Sequence, residues 1–327
     1  METEMTFIVY AMAFLKNVIY GTSVFFTGEL SASVDVLDIL ALRFLMSFVV
    51  LFLLKSLRVV KINVGIKDIL GRTDRSKYIK SLVLAALFEP VLYMFFETLG
   101  IAMTSGITAG VILSLLPVSC CICESIILKE KTSLLQKIFL GLGIIGVAYI
   151  AINTGTGEGK DSVMGILFLI LAIISGAFFM VFSRKSSSAF KPMEITYFSC
   201  MLGAVAFNAV NIVRHLINGD ILDYFTPYFN LDNMIGFVFL AVISTIVATG
   251  MNNFALKYMQ VSTMSAFGGV STMVTVAAGV LLAGEELYAF HIIGLSLIVI
   301  RMVGVSAIAI KKEKSQIKNT QNQERIK

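Results

Sequence analysis

The stretch Phe88-Glu-Pro-Val-Leu-Tyr-Met-Phe-Phe-Glu-Thr-Leu-Gly100 lies inside an apolar run from about residue 79 to about residue 103, yet it carries two glutamates and a proline. What those glutamates do depends on what surrounds them. Of the 327 residues, 57% are hydrophobic and 14% are charged, and the mean hydropathy is +0.88. A soluble domain is nearer 45–50% apolar and about 25% charged. Apolar runs of about 20 residues recur along the whole chain, which points to a polytopic membrane protein.

Ten spans follow from these runs, at 5–26, 36–54, 80–103, 106–128, 134–152, 163–183, 194–216, 233–256, 261–283 and 289–310. At about 1.5 Å per residue each can cross about 30 Å of hydrocarbon. They are too long and too uniformly apolar for barrel strands, so the expected class is all-α. The acidic start METEMTF, with no small-residue cleavage site after the first apolar run, reads as a first span rather than a cleaved leader.

Positive charge is segregated. Twenty-one Lys and Arg residues fall in alternate loops and the tail, among them Lys55, Arg75, Lys129, Arg184, Lys191 and Lys257. The opposite loops offer only Lys160 and Arg214, while Lys16, Arg43 and Arg301 lie inside spans. This asymmetry places both termini in the cytoplasm, with the chain in a bacterial inner (plasma) membrane. The polar tail 311–327 reads as disordered. The net charge of +5 forms no basic patch with interleaved aromatics, so no nucleic-acid partner is expected. Cys120, Cys121, Cys123 and Cys200 lie in apolar segments without a nearby histidine, so neither a metal nor a cofactor is expected.

A shift of 155 residues superimposes the halves: Gly21 falls on Gly176, Thr108 on Thr263 and Glu130 on Glu285. Each half holds five spans, an odd number, so the second half enters the membrane from the opposite side. Inverted repeats of this kind place a substrate site near the midplane, where the halves meet. The organisation is therefore a first repeat over 1–152, a Gly-rich extracellular linker over 153–162, a second repeat over 163–310 and the tail.

The five-plus-five repeat, Tyr20-Gly21 in span 1, Arg43 in span 2 and Leu128-Lys-Glu130 after span 4 together resemble the EamA-type permeases of the drug/metabolite transporter superfamily. Tyr20 stands where that family commonly has tryptophan, and Thr272 stands opposite Pro117, where a second proline is common. The resemblance implies secondary transport of a small organic solute, typically export of amino acids or related metabolites, without ATP hydrolysis.

Glu89, Tyr93 and Glu97 are spaced i, i+4, i+8 and form one helical stripe. A carboxylate facing lipid is costly, so the stripe should face the bundle interior or a watery cavity. The repeat offset maps it onto Ser244, Ala248 and Asn252, with Asn253 beside them. Depth along the spans suggests an Arg43–Glu97 pair and a partner for Glu89 in Lys16 or Arg301. Glu89 or Glu97 could bind a proton or the substrate amine with Arg43 or Lys16 competing for it, so that partner exchange couples protonation to gating, or Arg43–Glu97 could be a fixed structural tie between spans 2 and 3. Asn17, Tyr20, Ser114, Ser271 and Thr272 complete the candidate pathway. Arg301 reads as snorkelling to the cytoplasmic face, and Glu124 as interfacial. Glu130 and Glu285 read as gate residues, helix caps or solvated loop carboxylates.

The candidate partners are a small polar or amphipathic solute, protons and membrane lipid. His215 and His291 both lie near outer helix ends, and there is no H-E-x-x-H, nucleophile elbow or P-loop. An intramembrane enzyme is therefore disfavoured, while uptake and a channel remain open alternatives to export by a carrier.

Overall fold

The computed structural model describes residues 2–63, 74–129, 133–154 and 162–326. Glu130 and the linker residues 155–161 lie outside the described residues, as do the readings made for them. Among the described residues the chain is helical throughout, with no strand. Ten segments run in chain order: α1 Glu2–Ser31, α2 Val36–Ser56, α3 Asp74–Ala102, α4 Gly106–Leu128 and α5 Leu134–Thr154. The second half contains α6 Val163–Ser186, α7 Pro192–Asn218, α8 Leu231–Tyr258, α9 Val261–Leu281 and α10 Ala289–Ile326. Eight of these are long and apolar enough to span a membrane, and α5 and α10 carry shorter apolar stretches, Leu134–Gly146 and Ala289–Val305.

Short polar signals set the boundaries. Asp35, Ser105, Ser162 and Asn230 cap α2, α4, α6 and α8, each accepting a bond from a first-turn amide that has no partner within its own helix. Pro192 opens α7, where a missing N–H costs nothing. Gly219 closes α7 with a φ of 77°, which side chains with a Cβ resist. The final helix continues to Ile326 through the tail, where disorder is expected from composition; Lys, Glu, Gln and Arg are good helix formers and account for the local conformation.

The helix contacts have the symmetry of an inverted repeat. α1 packs on α8 and α9; its counterpart five helices on, α6, packs on α3 and α4. α2 meets α3 and α8, and α7 meets α8 and α3. The pairs α2·α7, α4·α9 and α5·α10 exchange with themselves. Replacing each helix by its equivalent thus returns the same contact pattern. The fold is two inverted five-helix repeats of an integral membrane protein.

Close approach across this axis needs small residues. A Cβ on Gly21 would lie 2.5 Å from the Ser271 carbonyl oxygen and 2.7 Å from Val274 Cβ, so α1 and α9 meet backbone to backbone there. At the equivalent Gly176, a Cβ would lie 3.0 Å from the Tyr93 ring. Phe88 stacks on Phe178 at 4.8 Å between α3 and α6, and Phe26 on Phe239 at 4.5 Å between α1 and α8. Large apolar side chains such as Val205, Leu216, Ile235 and Ile292 stay exposed, as a lipid-facing surface requires.

Candidate functional site

Four helices are interrupted in the middle of the bundle. In α3 the break is at Glu89, whose backbone is extended (φ −141°, ψ 116°) just before Pro90, which has no amide to donate. In α4 it is at Ser114–Leu115, ahead of Pro117, and in α9 at Phe267. α8 carries a wide-turned section over Phe239–Ala248. Such departures from regular helix are tolerated at membrane depth where they are buried or line a cavity.

A cavity of about 80 Å³ lies among these breaks, lined by α1, α2, α3, α4, α6, α8 and α9. Ten of the twelve sequence candidates face it: Lys16, Asn17, Tyr20, Arg43, Glu89, Tyr93, Glu97, Asn252, Ser271 and Thr272. Val24, Leu113, Leu116, Phe179 and Met180 supply an apolar share of the wall. The other two candidates do not reach it. Asn253 accepts a hydrogen bond from Ser183 at 2.8 Å and donates one to Thr196 at 3.0 Å, tying α8 to α6 and α7. The step of about 100° between adjacent helical residues carries Asn253 to the α6 and α7 side while Asn252 lines the cavity. Ser114 is buried beside α10, and its carbonyl oxygen accepts a bond from Arg301.

The charged groups differ from the sequence reading. Arg43 does not pair with Glu97. Its Nε donates to Thr245 Oγ1 at 2.8 Å and its Nη2 to Ser244 Oγ at 3.2 Å, both across the α2·α8 contact. Glu97 instead accepts a bond from the Tyr93 hydroxyl at 2.6 Å, one turn earlier on the same helix. Lys16 sits 4.9 Å from the centre of the Tyr20 ring, and the Tyr20 hydroxyl bonds Thr249 at 3.1 Å. Among the described residues, none of Lys16, Arg43, Glu89 and Glu97 has an ion-pair partner within 4.0 Å. Lys16, Arg43 and Glu89 are nevertheless 5%, 2% and 9% exposed. Two cations and two carboxylates therefore share one cavity without neutralising one another at contact distance.

Arg301 also departs from its expected place. It is 1% exposed rather than snorkelling, because Gly143 of α5 leaves room for its stem. Among the described residues it makes no bond to Glu89, and its Nε and Nη2 atoms have no hydrogen-bond partner. Glu124 is buried at 3% exposure and paired with Arg184 at 3.1 Å, rather than interfacial. A second polar cluster, at the end of α2 and α7 away from the basic loops, was not legible in the sequence. Asp38 Oδ1 meets Asn211 at 2.8 Å and His215 Nε2 at 2.9 Å, while its Oδ2 meets Arg214 at 2.7 Å. The other ring nitrogen of His215 lies 2.8 Å from Asp220.

The chain matches the EamA-like transporter family over residues 7–152 and again over 163–307, one match per repeat. It belongs to the EamA-like transporter family. A Bacillus subtilis (strain 168) relative, named as the uncharacterized transporter YcxC, is 31% identical over 305 residues, covering 93% of this chain and 95% of that protein. An uncharacterized transporter from Archaeoglobus fulgidus is 23% identical over 247 residues, covering 75% and 82%. A solved crystal structure shares the fold at a TM-score of 0.64, with 16% identity, over 92% of this chain and 98% of the other. As an EamA-like protein the chain is a transporter of small solutes and not an enzyme. Cavity residues of this EamA-like chain that sequence reasoning missed include Ser23 on α1 and Gly110, Ser265, Gly268 and Thr275 on the α4·α9 wall, and Ser244, placed by the repeat offset, proves to be a ligand of Arg43. The 3.6-residue period of α9 from Ser271 and Thr272 would have found Ser265, Gly268 and Thr275.

Proposed function

We propose that this transporter carries a small zwitterion of the amino-acid class, outward, by alternating access, with Glu89 as its proton-coupling group. One observation carries the reading. Buried charges held for structure are paired and hydrogen-bonded, whereas Lys16, Arg43 and Glu89, all buried, and the half-buried Glu97 have no contact partner of opposite charge among the described residues around one cavity. A solute bearing both a carboxylate and an ammonium complements that set; a simple anion or cation satisfies half of it. The apolar wall from Val24, Leu113, Leu116, Phe179 and Met180 suits a short hydrocarbon side chain. Among the described residues Glu89 takes no side-chain hydrogen bond, and its backbone forms the break in α3, so its carboxylate is free to exchange between a proton and the solute amine. The segregation of basic loops supports a cytoplasmic position for both termini in a bacterial inner membrane. Export is the direction that the family resemblance implies.

The test is flux of labelled amino acids and related metabolites in proteoliposomes, with and without a proton gradient, for wild type and Glu89→Gln. The reading expects a gradient to change accumulation in wild type, and the substitution to abolish that dependence while leaving downhill exchange. Gradient dependence that survives Glu89→Gln would refute Glu89 as the coupling group.

A further inference from the structure

α4 and α9 run antiparallel along the cavity wall, and each has its N-terminus held by a carboxylate from the other. Near the end of α4, Glu124 Oε1 accepts the Val261 amide at 2.9 Å and Oε2 accepts the Ser262 amide at 3.1 Å. Beyond the end of α9, Glu285 Oε1 accepts the Gly106 amide at 2.8 Å and Oε2 accepts the Ile107 amide at 3.0 Å. Each carboxylate thus satisfies two amides that a helix cannot bond for itself, and it does so at the positive end of the helix dipole.

The clasped amides are equivalent in the repeat: Gly106 and Ile107 map onto Val261 and Ser262 at the offset of 155. The carboxylates are not. The position equivalent to Glu124 is Gly279, and a Cβ there would lie 2.7 Å from Glu285 Oε2. Glu285 comes from the loop and fills the space that this glycine leaves. The same clasp is therefore built at both ends of the α4·α9 pair by different residues, which repetition of the sequence alone would not produce. Between the two clasps each helix is broken at the level of the cavity, α4 at Ser114–Leu115 and α9 at Phe267. Each clasp thus holds a helical segment that can move without its other half.

We propose that these clasps are the two gates of the transport cycle, Glu124 closing the face that bears the basic loops and Glu285 closing the opposite face. This rests on the alternating-access reading above. The gates are unequal. Glu124 is buried and paired with Arg184, whereas Glu285 is half-buried with no cation on it among the described residues, so the Glu285 gate opens the more readily.

Spin-label distance measurements on the full chain in lipid nanodiscs test this without a known solute. The four native cysteines are replaced by alanine, and labels are placed at Ala102 and Ala283 across the Glu285 clasp, or at Lys129 and Gln260 across the Glu124 clasp. Glu285→Gln should lengthen the first distance by more than about 5 Å, one helical turn, and leave the second as in wild type. Glu124→Gln should do the reverse. Gly279→Ala, which displaces the Glu285 carboxylate without altering charge, should reproduce the effect of Glu285→Gln. The proposal is overturned if Glu285→Gln and Gly279→Ala leave the first distance unchanged in folded, monodisperse protein, or if either change opens both ends together. Gates that open separately in protein that moves none of the labelled amino acids would instead contradict the zwitterion-carrier reading and leave the gates standing.

Discussion

Replacing Arg43 by methionine separates a solute-binding guanidinium from a structural one. Of the five N–H donors of a guanidinium, Nε and one Nη2 hydrogen are committed to Thr245 and Ser244. The remaining donors include both hydrogens of Nη1 and one of Nη2, a fork that fits a carboxylate. Hydrogen bonds to charged groups contribute about 1.5–3 kcal/mol each. Losing one net bond of that kind raises the half-saturating concentration of a carboxylate-bearing solute by about 10- to 150-fold. Methionine keeps the apolar stem and the α2·α8 packing, so folding should survive. The assay is exchange in proteoliposomes, comparing the transported acid with its decarboxylated amine. Arg43→Met should weaken the acid by the stated factor and leave competition by the amine unchanged. Equal weakening of both compounds would show that Arg43 acts only by tying α2 to α8, and the zwitterion argument would lose one of its two cations.

Three further outcomes follow from the packing. Asp38→Asn removes a charged acceptor from Asn211, Arg214 and His215 at once and should cost about 3–5 kcal/mol, read as a lowered melting temperature in detergent, whereas Asp35→Asn, at an exposed carboxylate, should barely change it. Gly21→Ala should cost about 1–3 kcal/mol through overpacking against the Ser271 backbone, and Gly176→Ala less, because the Tyr93 ring can shift where a backbone cannot; purified yield and thermal stability rank the two. Arg301→Met should raise the melting temperature, since it replaces a desolvated cation that has one carbonyl partner by an apolar side chain of similar length.

The architecture was legible because lipid leaves few choices. Run length gave the spans, and an odd number of spans per repeat gave the inversion. The Glu89–Tyr93–Glu97 stripe was legible for the same reason, since only an inward face tolerates it. What could not be read were the partners. Whether Arg43 meets Glu97 or Ser244 and Thr245 depends on how α2 crosses α8, and no spacing within one helix records that crossing. Arg301 was misjudged because its room comes from Gly143 on another helix. Glu124 was misjudged because its acceptor role is set by the start of α9, more than a hundred residues on. Asn253 stands beside Asn252 in the sequence, but its partners Ser183 and Thr196 come from α6 and α7, and adjacency records neither.

The most direct measurement is counterflow: purified protein in liposomes preloaded with an unlabelled amino acid, with external labelled amino acid and no ion gradient. The account predicts transient uphill accumulation of label for at least one zwitterionic amino acid, with neither its decarboxylated nor its N-acetylated analogue driving it. Accumulation driven equally well by those analogues, or only downhill equilibration through folded protein, would contradict a carrier whose site holds both charges of the solute.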